Sequence, residues 1–122
     1  MEDVDLEAIV NAYLEAYDQR DLSACMGFFS EDATIHFGLG IYRGKQAIEE
    51  WHQDRFAADL RITRVEGIRI KGGAVVVDGI ATSNTARAWG FDEVAGRATI
   101  VFHGEKISEV KFGLRTSVLE GW

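Results

Sequence analysis

Apolar positions along this chain follow two rhythms, with the change near residue 60. Before it they recur every three or four residues, as on one face of a helix; after it they alternate, as in strands packed on one side. Leu6, Ile9, Val10, Tyr13, Ala16 and Tyr17 form the first stripe, with Glu7, Asn11, Glu15 and Asp18 opposite. Asp5 is placed to cap this helix, which is predicted to run to about Gln19, and Glu7 in its first turn suits the helix dipole. Asp21 is the next cap, opening a short helix that buries Leu22, Cys25, Met26 and Phe29. A turn is expected at Ser30-Glu31-Asp32, then a strand Ala33–Phe37 and a glycine loop at Gly38 and Gly40. A third helix, from about Lys45 to Asp59, gathers Ile48, Trp51, His52, Arg55 and Phe56 on one face and turns Glu49, Glu50, Gln53 and Asp54 to water.

From Leu60 the pattern predicts strands alone. Arg61–Lys71 reads as a strand with a bulge at Glu66-Gly67, and Gly72-Gly73 as a tight hairpin turn. Ala74–Ala88 reads as one long strand bent at Gly79. Val94–Phe102, a turn at His103-Gly104-Glu105-Lys106 and Ile107–Thr116 complete the series. Val110, Phe112 and Leu114 alternate with Glu109, Lys111, Gly113 and Arg115, as in an antiparallel sheet covered on one side. The tail Ser117–Trp122 ends in a tryptophan suited to a second subunit. This order predicts an α+β domain, a curved antiparallel sheet wrapped around three N-terminal helices.

Composition narrows the class. With 122 residues the chain is read as one domain, residues 1–122, large enough for a core. Its 20 acidic and 13 basic residues give a formal charge of −7, which repels phosphate backbones. Arg61, Arg64, Arg69 and Lys71 cluster on one strand without interleaved aromatics, so no nucleic acid is expected as a partner. The single cysteine, Cys25, excludes an internal disulfide framework and falls in an apolar stripe, where it reads as a small core residue. The acidic N-terminus lacks a secretory signal pattern and no apolar run is long enough to span a bilayer; a cytoplasmic location and no membrane partner are the expectation. Proline is absent, for which the sequence offers no physical account.

Candidate chemistry lies on the apolar faces. Tyr13 and Tyr17 sit one turn apart in the first stripe, each bringing a hydroxyl inside that must bond main chain or a ligand. His36 points outward if Ile35 and Phe37 face the helices, and inward if a bulge before Gly38 reverses it. Arg55 and His52, on the inner face of the third helix, either satisfy the core or meet a ligand. In the long strand Val75, Val77, Gly79, Ala81 and Ser83 share a side, and the change to small residues removes volume there. Trp51, Phe56, Trp89 and Phe112 are candidates to line the resulting hollow. His36, His52 and His103 have no ligand spacing for a metal, and no cofactor is implied.

Phe28-Phe29-Ser30-Glu31-Asp32-Ala33, then Tyr42-Arg43-Gly44-Lys45-Gln46-Ala47-Ile48 and the hairpins that follow, resemble the nuclear transport factor 2-like superfamily. Within it the SnoaL-like branch, related to polyketide cyclases and ketosteroid isomerases, is the nearest. The resemblance runs from about Leu6 to Arg115. It implies a cystatin-like conical barrel with a pocket between helices and concave sheet, and a homodimer formed through the sheet's outer face, where Asp78, Thr82, Asn84 and Arg97 lie. Tyr13 matches the first-helix tyrosine that ketosteroid isomerases use as an oxyanion donor. The position of their catalytic aspartate is Phe37 here, and that of their second acid is near Ala98. Tyr17-Asp18-Gln19-Arg20-Asp21 resembles the start of scytalone dehydratase, with Arg64 near one of its histidine positions. The Arg-Asp-Asp arrangement of limonene epoxide hydrolases is not evident.

Two functions are consistent with this reading. One is a cofactor-independent isomerase, cyclase or dehydratase acting on a small apolar molecule, with Tyr13 and Tyr17 as donors and His36 or His52 as base. Phe37, Trp51, Arg55, Phe56, Arg64, Ser83, Arg87, Trp89 and Phe112 would then bind the ligand. The other is a non-catalytic ligand-binding or dimeric interaction module of the same fold.

Overall fold

A computed structural model describes residues 5–114. Three helices precede most of the sheet: α1 Leu6–Asp18, α2 Leu22–Gly27 and α3 Gly44–Ala57. Asp5 and Asp21 cap the first two as the sequence predicts, accepting from the amides of Ala8 at 3.0 Å and Ala24 at 3.1 Å. Arg43, at the head of α3, makes no side-chain cap. The last carbonyls of α2 are met by lysines instead: Lys45 Nζ donates to Met26 O at 2.8 Å and Lys106 Nζ to Gly27 O at 2.6 Å.

Six strands form one curved, open sheet in the order β2-β1-β6-β5-β4-β3. Their spans are β1 Phe29–Phe37, β2 Gly40–Arg43, β3 Arg61–Lys71, β4 Ala74–Thr82, β5 Val94–His103 and β6 Lys106–Leu114. All neighbours are antiparallel except β1 and β6, which run parallel. The curved sheet over N-terminal helices is the expected architecture. The barrel stays unclosed, with β2 and β3 as its edges.

Three departures from the sequence pattern have local causes. The expected turn at Ser30-Glu31-Asp32 is instead part of β1, whose register against β6 shifts between Phe29 and Thr34. The glycine loop is tighter than expected: Gly38, at φ +60°, turns the chain so that Gly40–Arg43 pairs back on β1 as a strand. The long strand Ala74–Ala88 ends early, because Ser83 Oγ accepts from the Ala86 amide at 3.0 Å and starts a short helix, α4 Asn84–Ala88.

Gly79 does a different job from the one expected. A Cβ there would meet the Arg64 carbonyl oxygen at 3.0 Å and Ile62 Cγ2 at 3.7 Å. β3 is bulged between Ile62 and Arg64 and again between Val65 and Gly67, the second near the predicted place. Glycine therefore admits the bulged backbone of β3, and the space its missing side chain leaves is occupied. The expectations for Arg115, Thr116 and the tail Ser117–Trp122 lie outside the described residues.

Strand pairing sorts side chains onto two faces. Ile35 and Val110, Ile100 and Val75, Ala98 and Val77, and Phe112 opposite Ala98 point toward the helices. The opposite face carries His36, Glu109, Thr99, Asp78 and Arg97, with Arg97 bonding Asp78 at 2.6 and 3.1 Å. β1, β4 and β6 finish at the same end of the sheet at which β2, β3 and β5 begin. The C-terminal half of α3 lies over that end, so Trp51 and Arg55 come to the tips of β1 and β6, while Phe56 turns toward Tyr17 on α1.

Candidate functional site

The first-helix tyrosines reach different partners. Tyr17 donates its hydroxyl to the Leu60 carbonyl at 2.9 Å, the connection between α3 and β3. Tyr13 Oη lies 2.7 Å from His52 Nε2, and His52 Nδ1 lies 2.8 Å from the Ile48 carbonyl one turn earlier on α3. A carbonyl only accepts, so Nδ1 carries the ring proton. His52 is fully buried, and burial lowers its pKa below 6.5 although the Ile48 bond opposes this. The imidazole is therefore neutral, Nε2 presents a lone pair, and Tyr13 donates to it. Burial also pushes the Tyr13 phenol well above its ordinary pKa, and the Tyr17 phenol up to about 12 against the pull of Arg20 and Arg55.

The chemical consequence is direct. Tyr13 has one O–H and it is engaged; His52 has one free lone pair and it is engaged by that O–H. A general base needs an open lone pair, and an oxyanion donor needs an open O–H. The Tyr13–His52 pair presents neither. Rings of Phe28 and Phe29 approach Tyr13 edge-on at 5.8 and 5.7 Å, enclosing the pair in aromatic walls.

His36 is turned away from this cluster. It lies on the outer face of β1, where Nε2 is 3.1 Å from Glu109 Oε2. No bulge before Gly38 reverses it, since Ile35 and Phe37 face the helices as the alternation requires. Its candidacy as base to Tyr13 ends there.

At the end of the sheet a second aromatic group gathers. Trp51 stacks on Phe112 at 5.4 Å and 18°, and Phe37 stands edge-on to both at 5.6 and 5.5 Å. The Arg55 guanidinium carbon sits 4.6 Å from the Phe37 ring centre and 5.8 Å from that of Trp51. Phe56 packs on Tyr17 at 5.2 Å. Trp51 is 3% exposed, and its indole Nε1 is buried with no hydrogen-bond partner among the described residues. Arg55 makes no ion pair among the described residues.

The remaining predicted residues stand apart. Arg64 is on the outer side of β3, largely exposed and 3.5 Å from Glu66. Ser83 is engaged as the cap of α4. Arg87, on α4, donates to Asn84 at 2.6 Å, and Trp89 just beyond is 78% exposed. Thus the structure brings Phe37, Trp51, Arg55 and Phe112 together, engages Arg64, Ser83 and Arg87 elsewhere and leaves Trp89 exposed.

Two residues that sequence reasoning passed over help frame this end. The Arg20 guanidinium carbon lies 5.1 Å from the ring centres of both Tyr17 and Phe56, and Arg20 bonds Asp59 at 3.2 Å. Asp59 also bonds Arg61 at 2.9 Å, and these partners hold its carboxyl below the usual carboxylate range, Arg20 first among them. Both Arg20 and Asp59 have positive φ, at 58° and 51°. Left-handed backbone at two helix exits could have drawn attention to them, but periodicity carries no such signal. Burial pushes the Cys25 thiol up to about 11, which suits the core role predicted for it.

Two surface depressions lie elsewhere. One of about 440 Å³ is bounded by Ile9, Ala24, Gly27, Phe28, Glu105 and Lys106, and one of about 230 Å³ by Ser30, Asp32, His103 and Ser108. None of the candidate residues lines either.

A family model, the SnoaL-like domain, matches residues 10–110. The chain belongs to the SnoaL-like family. Solved structures of similar fold include a candidate polyketide cyclase of Sinorhizobium meliloti, at 19% identity and TM-score 0.79, covering 93% of this chain and 100% of that one. A cystatin-like-fold protein of unknown function from Xanthomonas campestris gives 17% identity and TM-score 0.80, covering 96% and 95%. A nuclear transport factor 2-like protein of unknown function from Cytophaga hutchinsonii gives 13% and 0.75, covering 98% and 97%. At these identities the likeness is one of fold. No protein of curated function matches the SnoaL-like chain in sequence. No helix among its described residues is long and apolar enough to cross a membrane.

Proposed function

We propose that this SnoaL-like domain binds a small, mostly apolar molecule at the end of the sheet framed by Phe37, Trp51, Phe56 and Phe112. The observation that carries this reading is the Phe37–Trp51–Phe112 group, in which two of three rings are only half-buried at the open end of a curved sheet. Stacked and edge-on rings of this kind offer a flat ligand an apolar seat with defined geometry. The narrower reading, proton transfer by the first-helix tyrosines, loses support because Tyr13, Tyr17 and His52 are already mutually or internally bonded. Binding without turnover is therefore favoured over isomerase, cyclase or dehydratase chemistry.

The test is a titration with a neutral planar probe, 2-acetylnaphthalene, followed by tryptophan fluorescence. Saturation at one site per chain is expected, with at least tenfold weaker binding in a Phe112→Ala variant whose circular dichroism is unchanged. Absence of saturable binding, or indifference to Phe112→Ala, overturns the reading.

A homodimer through the sheet's outer face accompanies this proposal. Its support is the family and the ordered Asp78–Arg97 pair on that face. Sedimentation that finds only monomer at micromolar concentration removes it.

A further inference from the structure

The aromatic group at the end of the sheet contains an N–H donor with no hydrogen bond and a guanidinium with no ion pair among the described residues. Trp51 Nε1–H is buried and has no hydrogen-bond partner among the described residues, although leaving a buried donor unpaired is destabilising. Arg55 lies beside it over the faces of Phe37 and Trp51 and has no carboxylate among the described residues. Arginine in a fold is ordinarily paired or solvated, and its planar fork matches a carboxylate edge-on. The neighbouring arginines differ: Arg20, Arg61 and Arg87 all approach Asp59, at 3.2, 2.9 and 4.0 Å. Asp54 precedes Arg55 on α3, and Asp92 and Glu93 lie on the segment entering β5 at this end, yet none of them forms an ion pair with Arg55.

We infer that the ligand of this site is a planar aromatic carboxylate. Its ring lies against Phe37 and Phe112, its carboxylate pairs with Arg55, and one of its oxygens accepts from Trp51 Nε1. This rests on the binding reading above and adds the charge and the acceptor to it. Arg55 shields the ring faces in the free protein. Its flexible stem lets the guanidinium lift off those faces toward an arriving carboxylate. The formal charge of −7 repels anions at long range, so a neutral molecule would reach the site more readily. Preference for the anion must therefore come from contact with Arg55, which makes it separable by mutation.

The experiment compares 2-naphthoate with 2-acetylnaphthalene, which share the ring system and a carbonyl acceptor and differ in charge. The wild-type chain is expected to bind naphthoate at least tenfold more tightly. Arg55→Gln should erase that preference, bringing the two affinities within about threefold of each other. In ¹H–¹⁵N spectra the Trp51 indole resonance, assigned through Trp51→Phe, should move downfield with naphthoate. Equal affinity for the two probes, or a preference that survives Arg55→Gln, overturns the carboxylate assignment and leaves the binding reading intact. An unmoved Trp51 indole signal at saturation, as when a fixed water holds that N–H, overturns the assignment of Trp51. Failure of both probes to bind removes the binding reading as well.

Discussion

The two aromatic groups of this domain are built from the same residue types and are satisfied to different degrees. Around Tyr13, every polar atom has a partner: phenol to imidazole, imidazole to main chain, and the neighbouring Tyr17 to Leu60. Around Trp51, the indole N–H has no hydrogen bond and the Arg55 guanidinium no ion pair among the described residues, and the Phe37 and Phe112 rings are partly exposed. The first group behaves as core, fixing α3 against α1 through Tyr13–His52. The second has the unfilled valences expected of a surface that meets something else. A tyrosine inside a hollow is thus a poor guide to chemistry until its hydrogen-bond partner is known.

The largest effect that would sharpen this contrast is expected from His52→Ala. It opens a cavity beneath α3 and leaves the Tyr13 hydroxyl buried without an acceptor, so denaturant unfolding should show a loss of about 3 kcal/mol or more. Tyr13→Phe keeps the ring and removes only the donor to Nε2. A loss of about 1–3 kcal/mol is expected, and a neutral result would mean that the pair is not the anchor described here.

Acid should expose the same pair. The folded pKa of His52 lies below 6.5, so the unfolded chain takes up a proton at this site as pH falls through that value while the folded chain does not. The stability associated with neutral His52 is whole above about 6.5 and declines below it until the folded pKa is reached. Unfolding midpoints measured from pH 7.5 to 5 should fall less steeply in His52→Gln than in the parent. An identical slope would show that His52 is not held neutral by its surroundings.

The smallest expected effect belongs to the other group. Arg55→Met keeps an apolar stem over Phe37 and Trp51 and removes a cation that has no ion-pair partner among the described residues. Stability should change by no more than about 0.5 kcal/mol in the same denaturant assay. A loss as large as that of Tyr13→Phe would erase the distinction between the two ends.

Much of this was legible in order along the chain. The helix caps Asp5 and Asp21, the stripe through Tyr13 and Tyr17, the bulge before Gly67 and the turns at Gly72-Gly73 and His103–Lys106 are local features, written by neighbouring residues. The strand alternation offered two sides for His36, and the unbulged pairing of β1 decided for the outer one. Ser83 illustrates the limit. Read as one of a row of small inward residues it suggested ligand contact, whereas as a cap it ends β4 and starts α4, and the two readings share one sequence. Gly79 is similar, since its smallness looked like vacancy and serves the close passage of β3.

The sequence by itself determined the three N-terminal helices, the later strands and the α+β plan, because capping, periodicity and turn chemistry act over a few residues. Tertiary structure alone decided which polar atoms remain available. Tyr13 and His52 are 39 positions apart, and Trp51 on α3 meets Phe112 on the last described strand. Whether a buried hydroxyl, ring nitrogen or guanidinium is satisfied depends on those distant partners. Function at this site rests on the ones that are not.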